Sequence, residues 1–208
     1  MLAWISANSD LLNLAANVAM VAIWLAYFQV FLRGFRRQTK PKIVINLAAG
    51  STLDAVCFVS NMSSEAIYIE SVLVAVNVGD DMLSWAVTDL ETVEDDTGEI
   101  DPKQRTHQGP LGSAQYASLG RFDDLMASVA RGNGRKLEDL KSSTSEIMVE
   151  ITIIADYASE SMLIGAKRRF RARWEDGHWK LAVATRDTEQ IRSRRERQQL
   201  YDLVMPAG

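Results

Sequence analysis

Residues 11–32 form an uncharged run of mainly apolar side chains that contains neither glycine nor proline. As an α-helix that rises about 1.5 Å per residue, the run would extend roughly 33 Å, which is enough to cross a hydrocarbon core of about 30 Å. The average composition hides this segment, because the apolar residues are concentrated near the start of the chain. We therefore predict a single transmembrane helix over residues 11–32.

The charges on the two sides of this run differ. Only Asp10 precedes it, whereas five cations follow it closely: Arg33, Arg36, Arg37, Lys40 and Lys42. The cytoplasmic flanks of membrane helices carry an excess of Lys and Arg. We expect a protein of the cell inner membrane, in which residues 1–10 form a short exported tail and residues 33–41 form a basic linker to a cytoplasmic domain.

Two other interpretations of the apolar run stay open. A cleaved signal peptide carries its basic residues before the apolar stretch, whereas this chain carries them after it and shows no small-x-small cleavage motif. A core helix of a soluble protein usually has one polar face, whereas this run is apolar almost all round. Both interpretations fit the sequence less well than a membrane anchor does.

Small residues recur on one face of the predicted membrane helix. Alanines follow one another at spacings of four, three and four, and a glutamine continues the face. Small side chains let two membrane helices approach closely, and the glutamine amide can form a hydrogen bond across the contact. We predict a helix–helix contact, with a second copy or with another membrane subunit, at Ala15, Ala19, Ala22, Ala26 and Gln29. The alternative is that alanine is simply common in membrane helices.

After the linker, apolar and polar residues alternate as they do in strands. This alternation predicts strands over residues 42–47, 53–60, 66–78, 82–88, 146–156, 163–174 and 179–184. Helical spacing of apolar residues predicts a short helix over residues 121–130. Short strands at this spacing favour a β-sandwich, for which an immunoglobulin-like architecture is one form. We thus predict a mainly-β domain over residues 42–185, followed by a basic helix and tail over residues 186–208.

Two loops of this domain invite ligand-binding interpretations. Acidic residues crowd residues 80–101, but residues 95–99 lack the spaced oxygen ligands and the final glutamate of a helix-loop-helix calcium site. Glycines at 132 and 134 stand beside Arg135 and Lys136, but a phosphate loop requires a preceding strand and a longer glycine-rich turn. We expect solvated loops at both places.

The clearest charge pattern lies in the predicted strand over residues 163–174. Alternation places Lys167, Arg169, Arg171 and Arg173 on one face. Such a stripe could meet lipid, nucleic acid or an acidic partner. If the strand pairs with residues 146–156 as a hairpin, one register places Glu150 opposite Arg169 and Glu146 opposite Arg173. In that case part of the charge is paired internally.

A second basic cluster lies near the end of the sequence. Membrane attachment would keep such cations close to anionic lipid. We predict contact with lipid headgroups or with an acidic partner for two groups of cations, which are Arg33, Arg36, Arg37 and Lys40 after the membrane helix, and Arg192, Arg194, Arg195 and Arg197 in the predicted C-terminal helix. The net charge of −4 and the lack of interleaved aromatic residues argue against nucleic acid.

The sequence offers few groups for catalysis or metal binding. It contains one cysteine and two histidines, and it lacks the Cys-x-x-Cys, His-Glu-x-x-His and Gly-x-Ser-x-Gly motifs. Cys57 lies in an apolar strand, where we expect a reduced, buried thiol. Asp123 and Asp124 are adjacent in a predicted helix, so their carboxylates do not face each other. We expect a non-enzymatic protein without cofactor or metal, although scattered carboxylates stay open as catalysts.

Two functions fit these observations. In the first, the chain is an accessory or scaffold subunit, whose membrane helix docks on a larger integral-membrane complex while the β domain makes protein contacts in the cytoplasm. In the second, it is a membrane-tethered recognition module that binds a soluble protein or a small ligand beside anionic lipid. The pattern of anchor, basic flank and β domain is too general to assign residue roles from any known family.

Overall fold

A computed structural model of the chain describes residues 9–38, 40–48, 50–79, 81–87 and 106–204. The chain divides between Lys40 and Pro41 into two compact units. The first contains helix α1 (Ser9–Gln38), and the second is a mainly-β domain.

Helix α1 is long and apolar enough to cross a membrane. Its window Asn13–Phe35 has a mean hydropathy of 1.8, and none of that window is buried in the described chain. Trp24 and Tyr27 on this helix are 71% and 74% exposed. A core helix of a soluble protein would be mostly buried, so the exposed apolar surface of α1 argues against that interpretation.

The described part of the domain contains ten strands and three helices. The strands are β1 (Ile43–Leu47), β2 (Val56–Asn61), β3 (Ile67–Val78), β4 (Asp81–Ala86), β5 (Gly109–Leu111), β6 (Tyr116–Arg121), β7 (Glu146–Tyr157), β8 (Ile164–Glu175), β9 (His178–Val183) and β10 (Glu189–Ile191). The helices are α2 (Phe122–Gly132), α3 (Leu137–Ser143) and α4 (Arg194–Val204).

These strands form two antiparallel sheets. The smaller sheet has the order β1-β2-β6, and the larger follows the path β10-β8-β7-β3-β4, with β5 paired to β3 and β9 paired to β8. The long strands β3, β7 and β8 form the centre of the larger sheet, because each pairs with its neighbour over most of its length. The two-sheet, mainly-β prediction is confirmed at this level, but an immunoglobulin-like arrangement is not.

One hydrophobic core contains residues of both sheets and of α2. Ile45 and Val59 contribute from the smaller sheet and Ile151 from the larger, and all three are fully buried. Phe122 at the start of α2 packs edge to face on Phe170 of β8, with ring centroids 4.7 Å apart. Burial of each such side chain contributes about 1.5 to 3 kcal/mol, so this core stabilises the domain.

Side chains cap the outer edge of β1. The Ile43 N–H donates to Gln190 Oε1, and Gln190 Nε2 donates back to the Ile43 carbonyl. Thr188 Oγ1 likewise accepts from the Ile45 N–H and donates to the Ile45 carbonyl. These side chains form hydrogen bonds with backbone groups of β1 that would otherwise be free to pair with another strand. They also join β1 to β10 and the residues just before it.

The structure confirms the seven predicted strands and the helix predicted over residues 121–130, with ends shifted by a few residues. Strands β5, β6 and β10 and helix α3 were not predicted. Strand β6 lacks a signal because it contains Ala117, Ser118 and Gly120, which have low strand preference. Residues 88–105 lie outside the described residues, and with them most of the acidic loop predicted over residues 80–101.

The segment after residue 186 differs from the prediction of a helix. Residues 189–191 pair with β8, and the helix α4 begins only at Arg194. Ser193 Oγ accepts a hydrogen bond from the Glu196 N–H and itself donates to the Glu196 carboxylate. This reciprocal cap satisfies groups at the helix N-terminus and explains why α4 starts where it does.

Candidate functional site

The basic face of β8 is paired with carboxylates, in the register predicted for the hairpin. Glu150 lies opposite Arg169 and Glu146 lies opposite Arg173. Arg169 Nε donates to Glu150 Oε2 at 2.5 Å, and Arg173 Nη2 donates to Glu146 Oε2 at 2.6 Å. The hydrogen bond from Arg173 lowers the pKa of the Glu146 carboxyl below its ordinary value. The prediction of internal pairing is therefore confirmed.

The other two cations of this face are paired as well. Arg171 Nε lies 3.4 Å from Glu146 Oε1, and Lys167 Nζ lies 3.7 Å from Glu189 Oε1. A stripe whose cations already have carboxylate partners presents little free positive charge to a nucleic acid or a membrane.

Sequence reasoning missed Arg168, which points to the core side of β8 and is only 9% exposed. Its Nη1 donates to the Ile45 carbonyl at 2.6 Å and to Asn46 Oδ1 at 3.1 Å, and its Nη2 donates to the Arg186 carbonyl at 3.3 Å. Its guanidinium carbon lies 5.7 Å from the centroid of Phe170. Arg168 thus connects β8 to β1 of the smaller sheet. The signal available in the sequence was a third cation between Lys167 and Arg169, which breaks the alternation.

Cys57 lies on β2 and is fully buried, as predicted. Burial raises the pKa of its thiol to about 12, while the positive charge of Arg168 acts in the opposite direction. The thiol is therefore protonated at neutral pH and is shielded from reagents in solution.

The hairpin of β8 and β9 carries a pair of tryptophans. It turns through Asp176 and Gly177, whose φ angles of 53° and 80° are those of a two-residue hairpin turn. Trp174 lies opposite Trp179, with ring centroids 5.8 Å apart at 67°. Trp179 is nearly buried, whereas Trp174 is 49% exposed. The exposed indole of Trp174 lines a surface groove.

This groove, which we call the tryptophan groove, has a volume of about 650 Å³. It is lined by Glu138, Lys141, Ser142, Ser143, Thr144, Ser145, Trp174 and Trp179. Lys141 is held by Asp123 at 2.5 Å, and the hydroxyls of Ser142 and Ser143 donate to carbonyls of α3. An aromatic surface beside hydroxyl, carboxylate and ammonium groups is suited to binding a ligand or a peptide. The only sequence signal for it was two tryptophans flanking a turn.

The two histidines lie in different places. His107 is half-buried in a second groove of about 370 Å³ between β5 and β6. His178 is exposed beside the turn of the β8–β9 hairpin, where its Nδ1 lies 3.2 Å from the Asp176 carbonyl. Among the described residues, no three His, Cys, Asp or Glu side chains are grouped so that they could hold a metal ion.

The residues predicted for helix–helix contact all lie on α1, and their side chains are exposed. Ala15, Ala19, Ala22, Ala26 and Gln29 fall on one face because their spacings follow the helical repeat. Of the cations that follow, Arg33 and Lys40 are exposed, whereas the side chains of Arg36 and Arg37 lie outside the described part of the chain.

The four C-terminal arginines differ in their environments. Arg197 Nη1 lies 2.9 Å from Glu160 Oε2, its Nε donates to the Ile191 carbonyl, and its side chain is only 11% exposed. Arg197 therefore holds α4 on the domain. Arg192, Arg194 and Arg195 are exposed, and none of them has an ion-pair partner among the described residues.

Comparison with models of known protein families, with curated proteins and with solved structures finds no match to this chain. The geometry described above is therefore the basis for assigning a function.

Proposed function

We propose that this chain is a non-enzymatic single-pass protein of the cell inner membrane, which acts as an accessory or scaffold subunit of a larger integral-membrane complex. In this proposal α1 crosses the bilayer with its N-terminus outside. The domain that begins at Pro41, a β-sandwich of immunoglobulin-like type, makes protein contacts in the cytoplasm.

The observation that carries this proposal is the exposed apolar surface of α1. Large side chains such as Trp24, Phe28 and Phe31 are more than half exposed, so this surface requires an apolar environment. The alanine face that ends at Gln29 adds a place where a second membrane helix can pack closely. The cations Arg33, Lys40 and Lys42, which follow the uncharged run of residues 11–32, support the orientation with the domain in the cytoplasm.

Purification in mild detergent, followed by mass spectrometry of the intact assembly, tests this proposal. We expect integral-membrane companions in fixed stoichiometry, and we expect Ala22→Leu on the alanine face to release them. Ala16→Leu makes the same change on another face of α1 and is the matched control. A chain that purifies alone and monodisperse would contradict the accessory role.

The orientation has its own test. Single cysteines placed at Ser6 and at Gln198 can be labelled in intact cells with a reagent that does not cross the membrane. The native Cys57 is fully buried and does not compete. We expect labelling at position 6 only. Labelling at position 198 without cell lysis would contradict the proposed orientation.

The tryptophan groove favours a second candidate function, a membrane-tethered recognition module for a soluble protein or a small ligand. Gln190 bonds to Ile43 near the start of the domain and pairs with Ala166 of β8. The distance along β8 from Ala166 to Trp174 is about 26 Å at about 3.3 Å per residue. The groove therefore lies at the end of the β domain remote from the point where the chain enters it.

A photo-cross-linking residue at Ser142 tests this second candidate in intact cells. A cross-link from position 142 to a soluble protein or ligand supports recognition in the groove if it is lost in the Trp174→Ala variant. Ser118 on β6 provides a control position at another surface. Equal products from both positions would contradict a specific role for the groove.

A further inference from the structure

The cations among the described side chains include two groups. The first group is partly or fully exposed and has carboxylate partners: Arg121, Arg135, Lys141, Lys167, Arg169, Arg171, Arg173 and Lys180. Among the described side chains, the exposed cations without an ion-pair partner are Arg33, Lys40, Lys42, Lys136, Arg186, Arg192, Arg194 and Arg195. Within the domain, three of these cations, Arg192, Arg194 and Arg195, lie within four residues of one another at the start of α4.

Helix α4 lies at the end of the domain where the chain enters it. Ile191, just before α4, pairs with Gly165 at the start of β8, and the neighbouring Gln190 bonds to Ile43. Leu200 of α4 packs so closely on Gly165 that a Cβ there would lie 2.9 Å from a Leu200 methyl group. The start of α4 thus lies near Ile43, the first residue of β1, although the two are far apart along the chain.

Two side-chain contacts hold α4 in this position, and a cap fixes its first turn. Arg197 is paired with Glu160, and the hydroxyl of Tyr201 accepts a hydrogen bond from the Leu163 N–H at 3.2 Å. Ser193 and Glu196 form the reciprocal cap. A fixed helix presents its arginines without the cost of ordering a flexible tail on binding.

Two carboxylates that contact α4 have hydrogen-bond partners of their own. Glu196 is bonded to Ser193, and Glu160 is bonded to Arg197. The exposed carboxylate of Asp202 comes two helical turns after Arg195, about 10 Å away along the helix axis. Arg192, Arg194 and Arg195 therefore form a local cluster of guanidinium groups, and with the carboxylate of Glu196 residues 192–196 have a net charge of +2 (three cations and one anion).

We propose that this cluster, which consists of Arg192, Arg194 and Arg195, binds the headgroups of anionic phospholipids. The inference rests on the proposed membrane anchoring. Pro41 follows Gln38, the last residue of α1, by three residues, so the chain between them spans at most about 11 Å. Guanidinium groups match phosphate oxygens in bidentate geometry, and cations close to an anionic membrane surface are favourably bound.

The full chain in lipid nanodiscs tests this inference. A fluorophore on Gln198→Cys reports on α4, and a nitroxide attached to the lipid headgroups quenches it when α4 docks. We expect stronger quenching in phosphatidylglycerol discs than in phosphatidylcholine discs, and weaker quenching at high salt. The triple variant carries Arg192→Gln, Arg194→Gln and Arg195→Gln. Each of these changes should lower the ratio of docked to undocked α4 about fivefold.

A matched variant removes the same charge elsewhere. This control changes three cations around the loop between α2 and α3, through Arg131→Gln, Arg135→Gln and Lys136→Gln. It should leave the quenching unchanged. Equal quenching in both lipids, or unchanged quenching in the α4 triple variant, would overturn the inference while leaving the anchor intact. A chain that does not incorporate into discs of either lipid would overturn the anchoring proposal and this inference together.

Discussion

Glu150 on β7 and Arg169 on β8 lie directly opposite each other and share a hydrogen bond of 2.5 Å from Arg169 Nε to Glu150 Oε2. The side chain of Glu150 is 25% exposed and that of Arg169 is 55% exposed. Glu146, four residues earlier on β7, forms two further ion pairs, so cations of β8 lie across from carboxylates of β7 on the outer face of the hairpin. Opposite charges across neighbouring strands favour this register, and like charges disfavour it.

The change Glu150→Arg tests the role of this pair. It places like charges opposite each other and should lower the free energy of unfolding by about 0.5 to 1 kcal/mol, a modest amount because the pair is partly solvated. The double variant with Arg169→Glu reverses the pair and should recover most of the loss. Urea unfolding of both single variants and the double variant gives the coupling energy. A coupling energy of zero would mean that the pair does not contribute to the register.

The buried thiol of Cys57 should make stability depend on pH in the alkaline range. Its pKa is raised from 9.0 to about 12 in the folded chain, so above about pH 9 the unfolded chain loses a proton that the folded chain keeps. The contribution of the protonated thiol to the free energy of unfolding is therefore fully present below pH 9. That contribution falls by about 1.4 kcal/mol per pH unit as pH rises towards 12.

Unfolding in urea at several pH values, in the native chain and in Cys57→Ala, isolates this contribution from that of other titrating groups. We expect the stability of the native chain to fall more steeply above about pH 9 than that of the variant. Parallel profiles would show that the thiol ionises without penalty in the folded chain.

The close packing of α4 on β8 predicts a large effect of Gly165→Ala. The added Cβ would lie 2.9 Å from a Leu200 methyl group and 3.0 Å from an Ile191 methyl group, so these packed side chains would have to shift. We expect a loss of about 1 to 3 kcal/mol in the free energy of unfolding.

Gly112→Ala is the matched control for this change. Its added Cβ meets only the flexible side chain of Gln115, which can move away, so the cost should be smaller. In the Gly165→Ala background, Leu200→Ala should cost less than it does in the native chain, because it relieves the overlap. Additive losses in a thermal or urea unfolding series would contradict the proposed contact.

Association of α1 should depend on one of its faces. Ala19→Leu adds bulk on the alanine face and should reduce close helix–helix contact, whereas Ala16→Leu should have little effect. Energy transfer between labelled full-length chains in bilayers measures self-association, and retention of companions in mild detergent measures contact with other subunits. If Ala19→Leu and Ala16→Leu behave alike in both assays, the alanine face is not a contact surface.

Much of the secondary structure could be read from local patterns. The apolar run of α1 is continuous in sequence, and β7 and β8 are joined by a short turn, so hydropathy and alternation sufficed to predict the helix and the register of Glu150 with Arg169. The short strands β5 and β10 gave no such signal, because three residues do not establish a period.

The environments of individual charges depended on contacts between distant parts of the chain. Arg168 and Arg169 are neighbours in sequence, yet one is buried against the Ile45 carbonyl and the other is paired on the surface. Arg195 and Arg197 differ in the same way, because only Arg197 reaches Glu160.

The sequence by itself determined that this chain has an apolar helix long enough to cross a membrane and a domain of alternating strands, because periodicity and composition act over a few residues. Only the tertiary structure decided which cations are free, and that Trp174 lines a groove at the far end of the domain. Burial and ion pairing are set by segments far apart in sequence, such as Ile45 with Arg168 and Glu160 with Arg197.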